Sequence, residues 1–391
     1  MHQLRFDIRD ILRAPRLALS LQRIWIQFLG VIVGFLGYLI MTYLSLLTAG
    51  VNLSVAWKKY GLLPCLLPES HRWYAIIIFA IGVLWLVGVY LISATAVARA
   101  TYMVLKENHF YTWTEAFRFA FKKAASILMS PVAVILIIVM FLVGGAIIGL
   151  LGKIPFVGEF GLTLFTPVWF FSALLVVFFV IIFVLTLLLA PAIIATTDGD
   201  AFEVVFQSFS VLWNQPWRLV LYEALTGALS VAGLLVMAFL FKKAFIVMDR
   251  LFSATMGGDY VNISAQALYV LNVLLIHSVT WANALLKNWA GQFYFNREFD
   301  PLSLPHGYQY AAAYIFAFWL LLLGATVVAY GLATLNVGTT ISYVVLRKKK
   351  DDENLLERKD YEEEEEEAAS AESATKEPAT GEKPSTEAAT K

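Results

Sequence analysis

Predominantly apolar stretches recur at six places, roughly 24–47, 73–98, 131–151, 165–194, 217–241 and 312–346. Each is long enough to cross a hydrocarbon core of about 30 Å as a helix. A seventh stretch, 265–289, reads differently. On a helical wheel Gln266, Tyr269, Asn272, His277, Thr280, Asn283, Lys287 and Asn288 share one arc of about 160°, with leucines and Val279 on the other side. Such a helix lies in the outer interface or lines a wet cavity as a real span. Its candidate polar face is Gln266, Asn272, His277, Thr280 and Asn283.

Between the spans the pattern repeats itself. The stretch from Thr112 to Pro131 reads TWTEAFRFAFKKAASILMSP, and 85 positions later Thr197 to Pro216 reads TDGDAFEVVFQSFSVLWNQP. Each copy opens with a threonine three residues before an acid, a capping-box-like start, and continues with helical periodicity. Pro131 and Pro216 are expected to end these surface helices. Phe117, Phe121, Phe206 and Trp213 would enter the acyl boundary, while Lys122 and Lys123 meet anionic headgroups. Two crossings separate the copies, so the repeat is parallel, with units near 112–194 and 197–241. Residues 4–23 with the first two spans offer a diverged third unit, although its proline, Pro15, does not match the register of Pro131 and Pro216.

Charge sets the expected orientation. Lys and Arg cluster before the first span, from Arg99 to Lys123, and from Arg347 to Lys350, which predicts a cytoplasmic side for all three and an even number of crossings. Six crossings satisfy that condition if 265–289 does not cross. The zero net charge is a cancellation. Residues 1–346 carry 20 basic against 14 acidic side chains, and residues 347–391 carry 9 against 15. The second part, with its run of glutamates at 362–367, reads as a disordered acidic cytoplasmic tail after a polytopic membrane domain of residues 1–346.

Composition then closes off whole classes. Sixty per cent of residues are hydrophobic, which excludes a soluble globular protein. The single cysteine, Cys65, permits no intrachain disulfide and no cysteine-based metal site. There is no HExxH, GxSxG or Walker A motif and no pair of acids within a span. Asp198 and Asp200 read as helix-capping residues, and Glu223, two turns into its span, as an acid that snorkels to the interface. No cofactor or metal is expected, and no nucleic acid partner. The pairs Gly30/Gly34 and Gly145/Gly149, with Gly324, Gly331 and Gly338, predict close helix contacts.

The segments AIIATTDGDAFEVVFQSFSVLWNQPWRLVLY and TTISYVVLRKKKDDENLLERKDYEEEEEE resemble a group of uncharacterised bacterial polytopic membrane proteins. These are loosely similar to the membrane domains attached to some glycerophosphodiester phosphodiesterases. The similarity covers residues 93–220 and the last span. It implies a bacterial cytoplasmic (inner) membrane, and carries over no phosphodiesterase activity because no such domain is present. The expected molecule is an all-α integral membrane protein with about six transmembrane helices and both termini cytoplasmic. The expected role is a non-enzymatic scaffold or assembly factor whose partners are the bilayer, anionic lipids and a basic protein held by the tail. The alternative is a transporter of a lipid or small amphiphilic solute through the polar face of 265–289.

Overall fold

The structure, a computed structural model, describes residues 4–66, 72–275, 304 and 306–358. The tail beyond Arg358 and residues His277, Thr280 and Asn283 lie outside the described residues. Among the described residues every regular element is helical. Two short helices, α1 (Ile8–Ile11) and α2 (Ala14–Ala18), precede α3 (Leu21–Thr48), and α4 (Leu53–Tyr60) leads to α5 (Trp73–Leu105). Next come α6 (Trp113–Lys122), α7 (Ala124–Leu151), α8 (Val157–Leu164) and α9 (Thr166–Thr197). The chain continues through α10 (Ala201–Asn214), α11 (Pro216–Met256), α12 (Gly258–Leu274) and α13 (Gly307–Asp351). Six of these, α3, α5, α7, α9, α11 and α13, are long and apolar enough to cross a membrane, so the chain is a multi-pass membrane protein.

The spans pack as consecutive antiparallel pairs, α3 with α5, α7 with α9 and α11 with α13, while α5, α9 and α13 also pack on one another. Their mutual contact lies toward one end of the bundle. There the buried residues concentrate in 91–105 of α5, 186–197 of α9 and 327–346 of α13. Small side chains make that contact possible: Ala94, Ala96, Ala98 and Ala100 meet a neighbourhood holding Ala190, Ala192, Ala195 and Ala333, all essentially inaccessible. The short helices α2, α6 and α10 share this end, called here the basic side, with α2 lying on α13, α6 on α5 and α10 on α9. Away from the central three the bundle turns leucine, valine and phenylalanine outward, and α7 buries only Ile127, Ser130, Pro131 and Val134. An apolar exterior on a span is a lipid-facing surface.

Local chemistry explains most boundaries, and corrects some expectations. At α6 the capping box forms: Glu115 Oε2 accepts from the Thr112 amide at 2.6 Å, and Thr112 Oγ1 accepts from the Glu115 amide at 3.4 Å. The second copy starts three residues later than its threonine. Thr197 is the last residue of α9, its hydroxyl donating to Ile193 O at 2.9 Å, and the cap is Asp200, whose Oδ1 accepts from the Glu203 amide at 2.8 Å. Pro216 opens α11 at its first turn as expected. Pro131 does not end α6, which stops at Lys122; it lies inside α7. The carbonyl that Pro131 cannot bond, that of Ile127, receives the Ser130 hydroxyl at 3.1 Å instead, so the helix continues without an orphaned acceptor.

The glycine expectations divide. Gly30 packs directly on Ser93, and a side chain on Gly338 would begin 2.5 Å from Thr226 Cγ2, with Gly331 similarly close to Leu234. Gly145, Gly149 and Gly324 face open space and bring no helices together. Of the helix expected over 265–289, residues 265–274 belong to α12, which starts at Gly258 after a turn at Gly257 with φ of +66°, and residues 276–289 lie outside the described residues. Helix α13 continues to Asp351, and a 3-10 turn at Leu355–Glu357 follows with Leu355 fully buried.

Candidate functional site

Some polar groups within the spans are tied to one another across helices. Gln27 of α3 is fully buried, and its Oε1 accepts from Asn336 Nδ2 of α13 at 2.9 Å. Asn336 Oδ1 accepts in turn from the Tyr90 hydroxyl of α5 at 3.2 Å, and Gln27 Nε2 reaches Ser93 Oγ at 3.5 Å. Three spans therefore share one network. The α11–α13 seam holds a second set: Thr339 Oγ1 donates to Glu223 Oε2 at 3.0 Å, and the hydroxyls of Thr226 and Ser342 lie 3.3 Å apart. Glu223 does not snorkel as expected. Its other oxygen is shut off from the surface against α13.

Charge gathers where the spans end on the basic side. Arg99, the first residue of the basic cluster read from the sequence, is completely buried: its Nη1 donates to Ala195 O at 3.0 Å and its guanidinium lies 4.2 Å from the centre of the Phe119 ring. It pins α5 to both α9 and α6. Arg347 at the end of α13 bonds Gln207 of α10 and pairs with Asp351 at 2.9 Å and Glu353 at 2.8 Å. The first residues after α13 are held as well, since Tyr102 donates to Leu355 O at 2.7 Å and Lys106 to Arg358 O at 3.0 Å.

The surface-helix residues fall into two groups. Phe121, Phe206 and Trp213 are exposed on the outside of the bundle, Trp213 stacking on Phe209 and meeting Phe178 of α9 edge-on. Phe117 is partly buried, stacked on Phe121. Lys122 is exposed, whereas Lys123 is turned to Asp198. The residues that fasten α6 to the spans are Ala116, Phe119 and Ala120 rather than its phenylalanine strip at 117 and 121.

Of the polar arc, Gln266 is buried and Asn272 half-buried in α12. That helix packs on the first turns of α13, Ala267 meeting Ala313 and Ala317. Its last carbonyl, Leu274 O, accepts from the Leu62 amide at 3.0 Å, next to Gly61, which keeps a φ of +56° and has no room for a side chain. Since α4 follows α3, this contact lies on the side opposite α6 and α10. Two lateral clefts open from the bundle. One of about 590 Å³ lies between α7 and α9 beside Gly145 and Gly149, and one of about 630 Å³ lies among α3, α5, α6 and α7. Among the described residues no three His, Cys, Asp or Glu side chains gather as a metal site.

Sequence reasoning missed Gln27, Tyr90, Ser93, Asn336 and the burial of Arg99. The available signal was simple: single polar residues inside otherwise apolar runs, which need partners at depth. No family model, no curated protein and no solved structure matches the chain.

Proposed function

We propose that the chain is a non-enzymatic scaffold or assembly factor of a bacterial cytoplasmic membrane, with the basic side and both termini in the cytoplasm. One observation carries the reading: three sets of polar side chains in the spans join helices to one another, Gln27 with Asn336 and Tyr90, Glu223 with Thr339, Thr226 with Ser342. A solute pathway needs such groups facing water. The charge rule supports the orientation, since Arg5, Arg9, Arg16, Arg118 and Lys122 are all exposed on one side.

In this reading the molecule is three parallel units of surface helix, span out and span back. Support comes from equivalent placement: α6 on α5, α10 on α9 and α2 on α13, so the first unit's surface helix meets the last unit's returning span and closes the ring. The exposed aromatic residues of α6 and α10 bind the inner leaflet, with anionic lipids favoured. The acidic sequence that follows the anchored turn at Leu355 is available to a basic protein. The resemblance to phosphodiesterase-linked membrane domains belongs to this proposal as membrane placement alone.

Photo-crosslinking in cells tests the role. A crosslinker at Arg16, Arg118 or a tail position should give discrete protein adducts, while one at Val184, on the lipid face, should not. Lipid adducts alone from every position would overturn the scaffold reading.

A further inference from the structure

The cleft among α3, α5, α6 and α7 has a composition that selects its occupant. Val33, Leu84, Gly88, Phe117, Phe121 and Leu128 are among its lining residues, and its one hydroxyl, that of Ser93, is already donating to Tyr90 O at 2.9 Å. It offers hydrocarbon contacts and no open hydrogen bond. Its volume of about 630 Å³ lies within the range of about 300–1,000 Å³ usual for small-molecule sites. On α5 it runs from Leu84 to Ser93, a rise of about 13 Å, close to the depth of one leaflet. Gly88 keeps the floor low, because an added Cβ there would already be 3.3 Å from Leu128.

The basic end of the cleft is closed by α6. Trp113, Phe117 and Phe121 line it along one strip of that helix, and Arg118 and Lys122 occupy the strip about 100° further round. Both are exposed, and among the described residues neither joins an ion pair, in contrast to Lys123. Long cationic side chains at the edge of an apolar slot reach the headgroup level.

We propose that this cleft is a lipid site that holds one acyl chain of an anionic phospholipid from the leaflet on the basic side, with its phosphate against Arg118 and Lys122. The assignment needs only the spans and α6, so it stands or falls separately from the scaffold role and from the orientation of the protein.

Native mass spectrometry of the full-length protein with phosphatidylglycerol or phosphatidylcholine reads this directly. The wild type should retain one phosphatidylglycerol through detergent exchange, in about thirtyfold preference to phosphatidylcholine, as two basic residues near a headgroup imply. Val33→Trp and Leu84→Trp, placed on half-exposed or exposed positions of the lining, should each abolish retention, while Val184→Trp on α9 should not. The double variant Arg118→Gln/Lys122→Gln should keep the chain but lose the preference. Retention unaffected by both tryptophan variants would overturn the site. So would equal retention of the two lipids by the wild type, or a lipid-free dimer that Val33→Trp dissociates, since a second copy would then cover the cleft.

Discussion

Lys123 Nζ lies 2.7 Å from Asp198 Oδ1 and 2.6 Å from the same residue's carbonyl oxygen, so one side chain at the α6–α7 junction grips the α9–α10 turn twice. Asp198 sits there in the left-handed region, with φ of +57°, as the residue that ends α9. The lysine, expected at the headgroups, serves instead to join the roots of two surface helices. Asp198→Asn keeps a residue that tolerates this backbone and removes the charge. A double-mutant cycle of Lys123→Ala and Asp198→Asn, followed by thermal unfolding in detergent, should give a coupling of about 1 kcal/mol. Additive losses would mean that the pair is incidental.

The Gln27–Asn336 bond should behave as a buried pair. Asn336→Leu leaves Gln27 Oε1 and the Tyr90 hydroxyl without their partner and is expected to cost about 1–2 kcal/mol. Adding Gln27→Leu removes one stranded group, so the double variant should recover part of that loss. A double variant less stable than Asn336→Leu by the full cost of Gln27→Leu alone would show no coupling.

Glycine positions give opposite expectations within one protein. Gly338→Leu forces a side chain into Thr226 and should destabilise by about 1–3 kcal/mol as overpacking. Gly145→Ala and Gly149→Ala meet nothing and replace a poor helix former, so they should be neutral or stabilising by up to about 1 kcal/mol each. Unfolding midpoints of the three variants separate contact glycines from those that merely occur in a span.

Topology is checked by single-cysteine labelling on a Cys65→Ser background. Cysteines at Arg118 and Asn214, both exposed, should react with an impermeant reagent only once the cytoplasmic side is opened, and one at Lys58 in α4 from the outside. Labelling of Lys58 and Arg118 from the same side would break the six-span arrangement.

How much of this was written in the chain depends on the range of the interaction. Six spans were legible because an apolar run of sufficient length has one stable solution in a bilayer, a helix that satisfies its own backbone, whereas some ends were not, α11 running on to Met256 rather than stopping near 241. The α6 start was legible too, since Thr112 and Glu115 form their capping box within four residues. At α10 the sequence offered both Thr197 and Asp200 as capping residues, and Asp200 caps because α9 runs on through Thr197. Pro131 was misjudged for a related reason: Ser130 supplies the bond that lets α7 pass through it. Only the tertiary structure decided which glycines make contacts, that Arg99 is buried between α9 and α6, and that Gln27 meets Asn336 across 309 positions. Hydropathy describes what each segment prefers as solvent, whereas partner choice between spans comes from the shapes and polar groups that two helices present together. The lateral cleft is the clearest case, for its walls come from four helices and no one of them carries a sign of it.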